Sequence, residues 1–175
     1  RNWVAGLKVV TGSGELLELN KGLVKNATGY DLRQLFIGAE GTLGFVVEAT
    51  MRLERAPKNL TAMVLGAPDF DSIMPVLHAF QGKLDLTAFE FFSDKAMAKI
   101  MARGDVPAPF ETDCPFYALL EFEAVSEDIA NQALETFEHC VEQGWVLDGV
   151  MSQSEQQLQN LWKLREFISE TISHW

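Results

Sequence analysis

"FIGAEGTLGFV", Phe36 to Val46, decides how the first third of the chain is read. The seven positions from Gly38 to Gly44 hold three glycines, one threonine and a single carboxylate, and an alternating segment follows at once. Glycine has no Cβ, so such a stretch lets the main chain turn sharply and lets another surface approach it. On glycine content two readings stay open. One is a bent connection between helix and strand. The other is a run of amide donors, Ala39 to Gly44, suited to a pyrophosphate or a ribose–adenine moiety. A P-loop is excluded because no Lys-Ser/Thr pair follows the glycines.

Working outward, Asp31 stands where it can cap a short helix through Leu32–Phe36, and Gly38 can end it. From Phe45 apolar and polar residues alternate. Phe45, Val47, Ala49, Met51 and Leu53 point one way, and Val46, Glu48, Thr50, Arg52 and Glu54 the other. The pattern predicts a half-buried antiparallel strand of about nine residues. Upstream, "GLKVVTGSGELLELN" reads as a hairpin, with Leu7–Val10 and Leu16–Leu19 as strands and Thr11–Gly14 as the turn. It is not a dinucleotide fingerprint, since Leu17 stands where the third glycine belongs and a strand follows. Downstream, "ERAPKNL" breaks the pattern at Pro57 and divides the chain into residues 1–56 and 57–175.

Beyond the break the rhythm is β-α-β-α, twice. Strands are read at Thr61–Leu65, Thr87–Phe92, Phe116–Glu123 and Val146–Met151. The first helix carries Phe70, Ile73, Met74, Leu77 and Phe80; the second is capped by Ser93 and ended by Gly104. The third is capped by Ser126, presents Ile129, Ala133, Leu134, Phe137, Cys140 and Val141 inward, and stops at Gly144. The last opens on Ser154 and Gln157 at capping-box spacing. Two such halves predict a ferredoxin-like antiparallel sheet with helices on one face, in an α+β protein.

The 175 residues suffice for one large domain or two small ones. A net charge of −11 argues against nucleic acid and against an anionic membrane surface. No apolar run approaches the roughly 20 residues that cross a bilayer, and no signal peptide is visible at Arg1–Gly6. Cys114 and Cys140 read as free, structural thiols of a reducing compartment, hence a cytoplasmic protein. His78, His139 and His174 lack ligand spacing, so no metal site is read within the chain. The chain starts without methionine and ends inside a helical pattern at Ser173-His174-Trp175, and it reads as a piece of a longer protein.

The last helix carries a second clue. Leu158, Leu161, Trp162, Ile168 and Ile172 form an apolar stripe, and Arg165 falls near its centre with Ser169 at i+4. A guanidinium cannot shed its proton, so on a buried face it needs an anionic or carbonyl partner. One reading is an internal salt bridge, with Glu90 of "TAFEFF" as its partner, or an arginine that snorkels out along its stem. The other is a fork that grips a ligand carboxylate bidentately, with Ser169 adding a donor.

"KNATGYDLRQLFIGAEGTLGFVVEATMRL", Lys25 to Leu53, resembles the FAD-binding oxidoreductases of the vanillyl-alcohol oxidase type. The match is to the branch with D-lactate dehydrogenases, the glycolate oxidase flavin subunit and D-2-hydroxyglutarate dehydrogenase. Ala39 replaces that branch's serine and Phe45 an aliphatic residue. "AFEFFSDKAM", "CPFYALLEFE" and "VLDGVMSQSEQQLQNLWKLREFISETI" are similar to the substrate cap domain of its D-2-hydroxyglutarate dehydrogenase-like members.

The resemblance implies that residues 1–56 are the C-terminal part of an FAD-binding α+β domain and 57–175 a cap domain truncated at its C-terminus. It implies that Glu40, Gly41, Thr42, Leu43, Gly44, Phe45 and Val46 line FAD near its adenosine-diphosphate half, with Asn26, Thr28, Gly29 and Tyr30 nearby. Arg165 matches the position that holds the substrate carboxylate, and Ser169 one where relatives place a hydroxyl. The implied reaction is oxidation of a D-2-hydroxy acid, D-2-hydroxyglutarate or D-lactate, by hydride transfer to flavin N5. No catalytic residue is expected within the chain: the base, and the ligands of a zinc-like divalent metal, are expected beyond Trp175. A quinone, cytochrome, flavoprotein or oxygen as electron acceptor, a homodimer, and a place at the inner membrane through the acceptor are compatible with this. The alternatives are a non-catalytic α/β interaction module and a related flavoenzyme acting on a non-carboxylate alcohol.

Overall fold

The computed structural model describes residues 1–20, 23 and 25–173; Lys21, Gly22, Val24, His174 and Trp175 lie outside the described residues, and with them the reading of His174 and of the C-terminal end. The chain divides into two compact units, Arg1–Ala56 and Pro57–Trp175.

In the first unit β1 (Val4–Val10), β2 (Leu16–Leu19) and β3 (Phe45–Met51) form an antiparallel sheet in the order β2-β1-β3. The hairpin is as expected: Thr11 accepts from Gly14 N at 3.0 Å, and Gly14 takes φ 81°. Its core is small. Leu7, Val9 and Leu19 are buried, with Val4, Leu17, Phe36 and Ile37 packed on them.

Two expectations fail here. Asp31 does not cap α1 (Arg33–Phe36), whose N-cap position is Leu32. Asp31 instead grips the side chain of Arg33, Nε to Oδ1 and Nη2 to Oδ2 both at 2.7 Å, while Arg33 Nη1 donates to the carbonyls of Val4 and Ala5. A fork bonded to two carboxylate oxygens outcompetes a single amide cap, and the Arg33 guanidinium pulls the Asp31 carboxyl down to about 2. The second failure is β3, which is exposed along its whole length rather than half-buried, and seven residues long. Its alternation is also broken. Lys8 pairs with Glu48 but Val9 with Val46, which leaves Val47 without an opposite residue. This bulge puts Phe45 and Glu48, three apart in sequence, on the face of Val10 and Lys8.

In the second unit β4 (Leu60–Ala67), β5 (Leu86–Ser93), β6 (Phe116–Glu123) and β7 (Asp148–Met151) form one antiparallel sheet in the order β5-β6-β4-β7. Four helices alternate with them: α2 (Ile73–Gln81), α3 (Asp94–Arg103), α4 (Glu127–Glu142) and α5 (Glu155–Ser173). The strand order is that of a ferredoxin-like sheet, but the helices cover both faces, not one. Met63, Leu65, Leu120 and Phe122 pack with Val76, Phe80, Ala133 and Cys140 of α2 and α4. Ala62, Val64 and Leu119 pack with Ile100 of α3 and Leu161 and Leu164 of α5 on the other face. Central strands covered twice need apolar side chains at odd and even positions alike, and "LTAMVLGA" and "FYALLEFE" supply them.

The caps show why the helices begin and end where they do. Ser93 Oγ accepts from Ala96 N, and Gly104 closes α3 in the left-handed region at φ 75°. Ser154 Oγ accepts from Gln157 N at 3.2 Å, while the Gln157 side chain reaches back to Gln153 N at 2.8 Å, one residue earlier than a capping box requires. Ser126 occupies the N-cap position of α4 without a side-chain cap bond. Of the residues read as inward on the third of these helices, Leu134 and Val141 are exposed, as are Phe70 and Met74, which mark the first. Cys114 and Cys140 are free and buried, and burial pushes the Cys140 thiol up to about 11.

Candidate functional site

In the first unit the glycine-rich stretch is a tight turn. Thr42 N donates to Ala39 O at 2.9 Å, and the central residues Glu40 and Gly41 have φ 50° and 81°. Positive φ at both central positions is the type I′ pattern, which glycine adopts without strain. Thr42 Oγ1 adds a bond to the same carbonyl at 2.6 Å. Glu40, Gly41, Thr42, Leu43, Phe45 and Val46 are exposed and Gly44 is half-buried. Among the described residues the amides of Glu40, Gly41 and Leu43 make no hydrogen bond, so the turn offers unengaged donors. The glycines differ. A Cβ on Gly41 would meet open space, whereas one on Gly44 would sit 2.8 Å from Val10 O and Val9 Cγ1. Gly41 serves the turn's conformation; Gly44 admits the chain's own β1.

Asn26, Thr28, Gly29 and Tyr30 lie together elsewhere on this unit. With Asn20 and Arg33 they line a cleft of about 190 Å³, which the turn residues 40–46 do not line. Asn26 Oδ1 accepts from Thr28 N at 3.3 Å, Gly29 has φ 76°, and Tyr30 is 95 % exposed.

In the second unit α5 lies across β4, β5 and β6. Its buried line runs through Leu161, Leu164 and Thr171, so Leu164 rather than Arg165 is the centre of the stripe, and Ile172 is exposed. A fully buried leucine contributes about 1.5–3 kcal/mol, and Leu164 at 0 % exposure fixes the helix's rotation. Arg165 falls at the edge of that face. Its Nε donates to Glu90 Oε2 of β5 at 2.9 Å, and about a third of its side chain is exposed. The internal salt bridge therefore forms, and it engages one donor of five. Among the described residues both terminal nitrogens make no hydrogen bond. Ser169, one turn on, is exposed.

A neighbouring contact was not legible in the sequence. Trp162 Nε1 donates to Glu121 Oε2 of β6 at 2.7 Å, and Thr87 Oγ1 to Glu121 Oε1 at 2.8 Å. Glu121 is 9 % exposed and holds α5 to the sheet. The signal was its place in "ALLEFE", a carboxylate set between Leu120 and Phe122 in an apolar strand. Among the described residues no group of three or more His, Cys, Asp or Glu is disposed to hold a metal ion, and no helix is long and apolar enough to cross a membrane.

Comparison with known proteins agrees with the resemblance. Residues 56–174 match the family "FAD linked oxidases, C-terminal domain". Over 175 residues the chain is 88 % identical to a D-2-hydroxyglutarate dehydrogenase of Stutzerimonas stutzeri (strain A1501), covering all of this chain and 38 % of that protein. It is 35 % identical to the mitochondrial D-2-hydroxyglutarate dehydrogenase of Rattus norvegicus, over 99 % of this chain and 33 % of that one. The chain thus spans about a third of the length of these relatives. Among solved structures, p-cresol methylhydroxylase with substrate bound matches 99 % of this chain and 40 % of its own, with TM-score 0.67 and 12 % identity. Alkyldihydroxyacetonephosphate synthase matches 93 % and 32 %, with TM-score 0.60 and 17 % identity. At such identities the likeness is one of fold.

Proposed function

Because the chain belongs to the FAD-linked oxidases, whose C-terminal domain it carries, we propose that the full-length protein is an FAD-dependent dehydrogenase of D-2-hydroxyglutarate or D-lactate, yielding the 2-oxo acid. The observation that carries this reading is Arg165: a helix-borne guanidinium held at Nε, with both terminal nitrogens unengaged and a hydroxyl one turn away. The names of relatives at 88 % and 35 % identity support the same substrate class, with D-2-hydroxyglutarate first.

Each unit has a share in the reaction. The turn from Glu40 to Val46 fits the adenosine-diphosphate half of FAD, because it offers unengaged amides and Gly41 leaves room for a close approach. Asn26, Thr28, Gly29 and Tyr30 offer a second, polar contact. Bound FAD supplies the hydride acceptor, at flavin N5. Arg165 binds the substrate carboxylate through its terminal fork, and Ser169 donates to the same group. Holding the carboxylate fixes the substrate's α-carbon, which is an orientation effect. The hydroxyl proton goes to a base outside residues 1–175, so this chain alone is expected to be inactive. Among the described residues no group of three or more His, Cys, Asp or Glu fits a metal site. The reading extends to a quinone, cytochrome or flavoprotein as electron acceptor, and to a homodimer in the cytoplasm.

Arg165→Met in the full-length protein tests the carboxylate role. It should raise KM steeply and cost about 2–5 kcal/mol of transition-state stabilisation in kcat/KM. An unchanged kcat/KM would remove Arg165 from the site and favour a non-carboxylate alcohol as substrate.

A further inference from the structure

We infer that Glu90 is a positioning residue for Arg165, and that it selects the end of the guanidinium which meets the substrate carboxylate. The inference rests on the carboxylate role proposed above.

A guanidinium can accept a carboxylate along two kinds of edge. One edge pairs Nε with a terminal nitrogen; the other pairs the two terminal nitrogens. In this protein Glu90 Oε2 occupies Nε at 2.9 Å, so the only bidentate edge left is Nη1/Nη2, at the tip. A free arginine would sample many rotamers and lose that freedom on binding. Glu90 takes up part of that loss in the folded protein. It can do so because it stands on β5 opposite Leu119 of β6, in the part of the sheet that α5 covers.

The base of the helix is held in the same way. Glu121, two residues from Leu119 along β6, accepts from Trp162, three residues before Arg165 on α5. Two carboxylates on adjacent strands thus bind two positions of one helical face. Trp162–Glu121 fixes the helix, and Arg165–Glu90 fixes the side chain. Their exposures separate the roles. Glu121 is 9 % exposed and is shut into the fold. The Glu90 and Arg165 side chains are 40 % and 34 % exposed, open enough for a ligand to share the cation. An exposed ion pair contributes little to stability, with a median of about 0–1 kcal/mol, so the pair is better explained by what it orients than by what it stabilises.

The test uses full-length protein and Glu90→Ala, Glu90→Gln and Glu90→Asp, alone and with Arg165→Met. Two quantities are measured: steady-state constants for D-2-hydroxyglutarate, and the calorimetric Kd of 2-oxoglutarate, which needs no turnover. Glu90→Ala should raise KM and Kd about tenfold, with kcat within about threefold. Glu90→Gln keeps an acceptor for Nε and should restore both to within about threefold. Glu90→Asp withdraws the carboxylate by one methylene and should fall between them, which keeps the test open if the alanine variant does not fold. On Arg165→Met, Glu90→Ala should change neither quantity by more than about twofold. Unchanged KM and Kd in Glu90→Ala, with only a lowered Tm, would make the pair purely structural and overturn the inference. So would equal effects with and without Arg165. If Arg165→Met itself leaves KM and Kd unchanged, the carboxylate reading has failed. If it raises both while Glu90→Ala raises neither, the positioning role alone has failed.

Discussion

Gly41, inside the turn, and Gly44, three residues on and just before β3, resist substitution for different physical reasons. At Gly44 an added methyl would lie 2.8 Å from a backbone oxygen, Val10 O, which cannot swing aside as a side chain can. Gly44→Ala should therefore destabilise the first unit by about 1–3 kcal/mol, as overpacking does. At Gly41 the space is open and only φ 81° resists a side chain. Gly41→Asn should accordingly cost under about 1 kcal/mol, since asparagine tolerates the left-handed region. Chemical denaturation of the two variants checks the difference, and equal losses would contradict it. The sequence displayed the glycines but not this division, because composition does not say which glycine meets solvent and which meets Val9 and Val10. Arg165 shows the same limit. Its periodicity put it on the apolar face, and one residue of rotation, set by fully buried Leu164, moved it to the edge beside Glu90.

At the scale of elements, α5 is held by more than its apolar face. Trp162→Phe would keep the ring's bulk but remove the N–H that Glu121 Oε2 accepts at 2.7 Å. It should destabilise the second unit by about 1–3 kcal/mol, the cost of an unsatisfied buried acceptor, read as a lower denaturation midpoint at neutral pH. No loss would show that water replaces the indole. Helices and strands were largely legible here, because caps at Ser93 and Ser154 and stops at Gly104 and Gly144 are local signals. Which faces the helices cover was not read correctly. The mixed apolar run of β4 already indicated two covered faces, and the ferredoxin-like analogy obscured it. In β3 alternation misled, because a bulge at Val47 resets the side-chain period without leaving a glycine or proline to mark it.

At the scale of the whole molecule, the two units carry different halves of one proposed chemistry. The first offers a turn with free amides and an exposed strand, the second a cation whose tip is unengaged. The family was legible in Lys25–Leu53 through the resemblance of that whole stretch to a known motif, which is far more specific than its glycines alone. In the proposed reaction the hydroxyl proton goes to a base outside these residues, so that half of the mechanism is not legible in them. The most direct measurement is anaerobic mixing of the full-length protein with D-2-hydroxyglutarate while the flavin absorbance is followed. The account predicts a preparation that carries or takes up FAD, and a flavin band that bleaches with D-2-hydroxyglutarate but not with the L-enantiomer. A colourless protein that takes up no FAD, or a flavin that stays oxidised with every D-2-hydroxy acid, would contradict it.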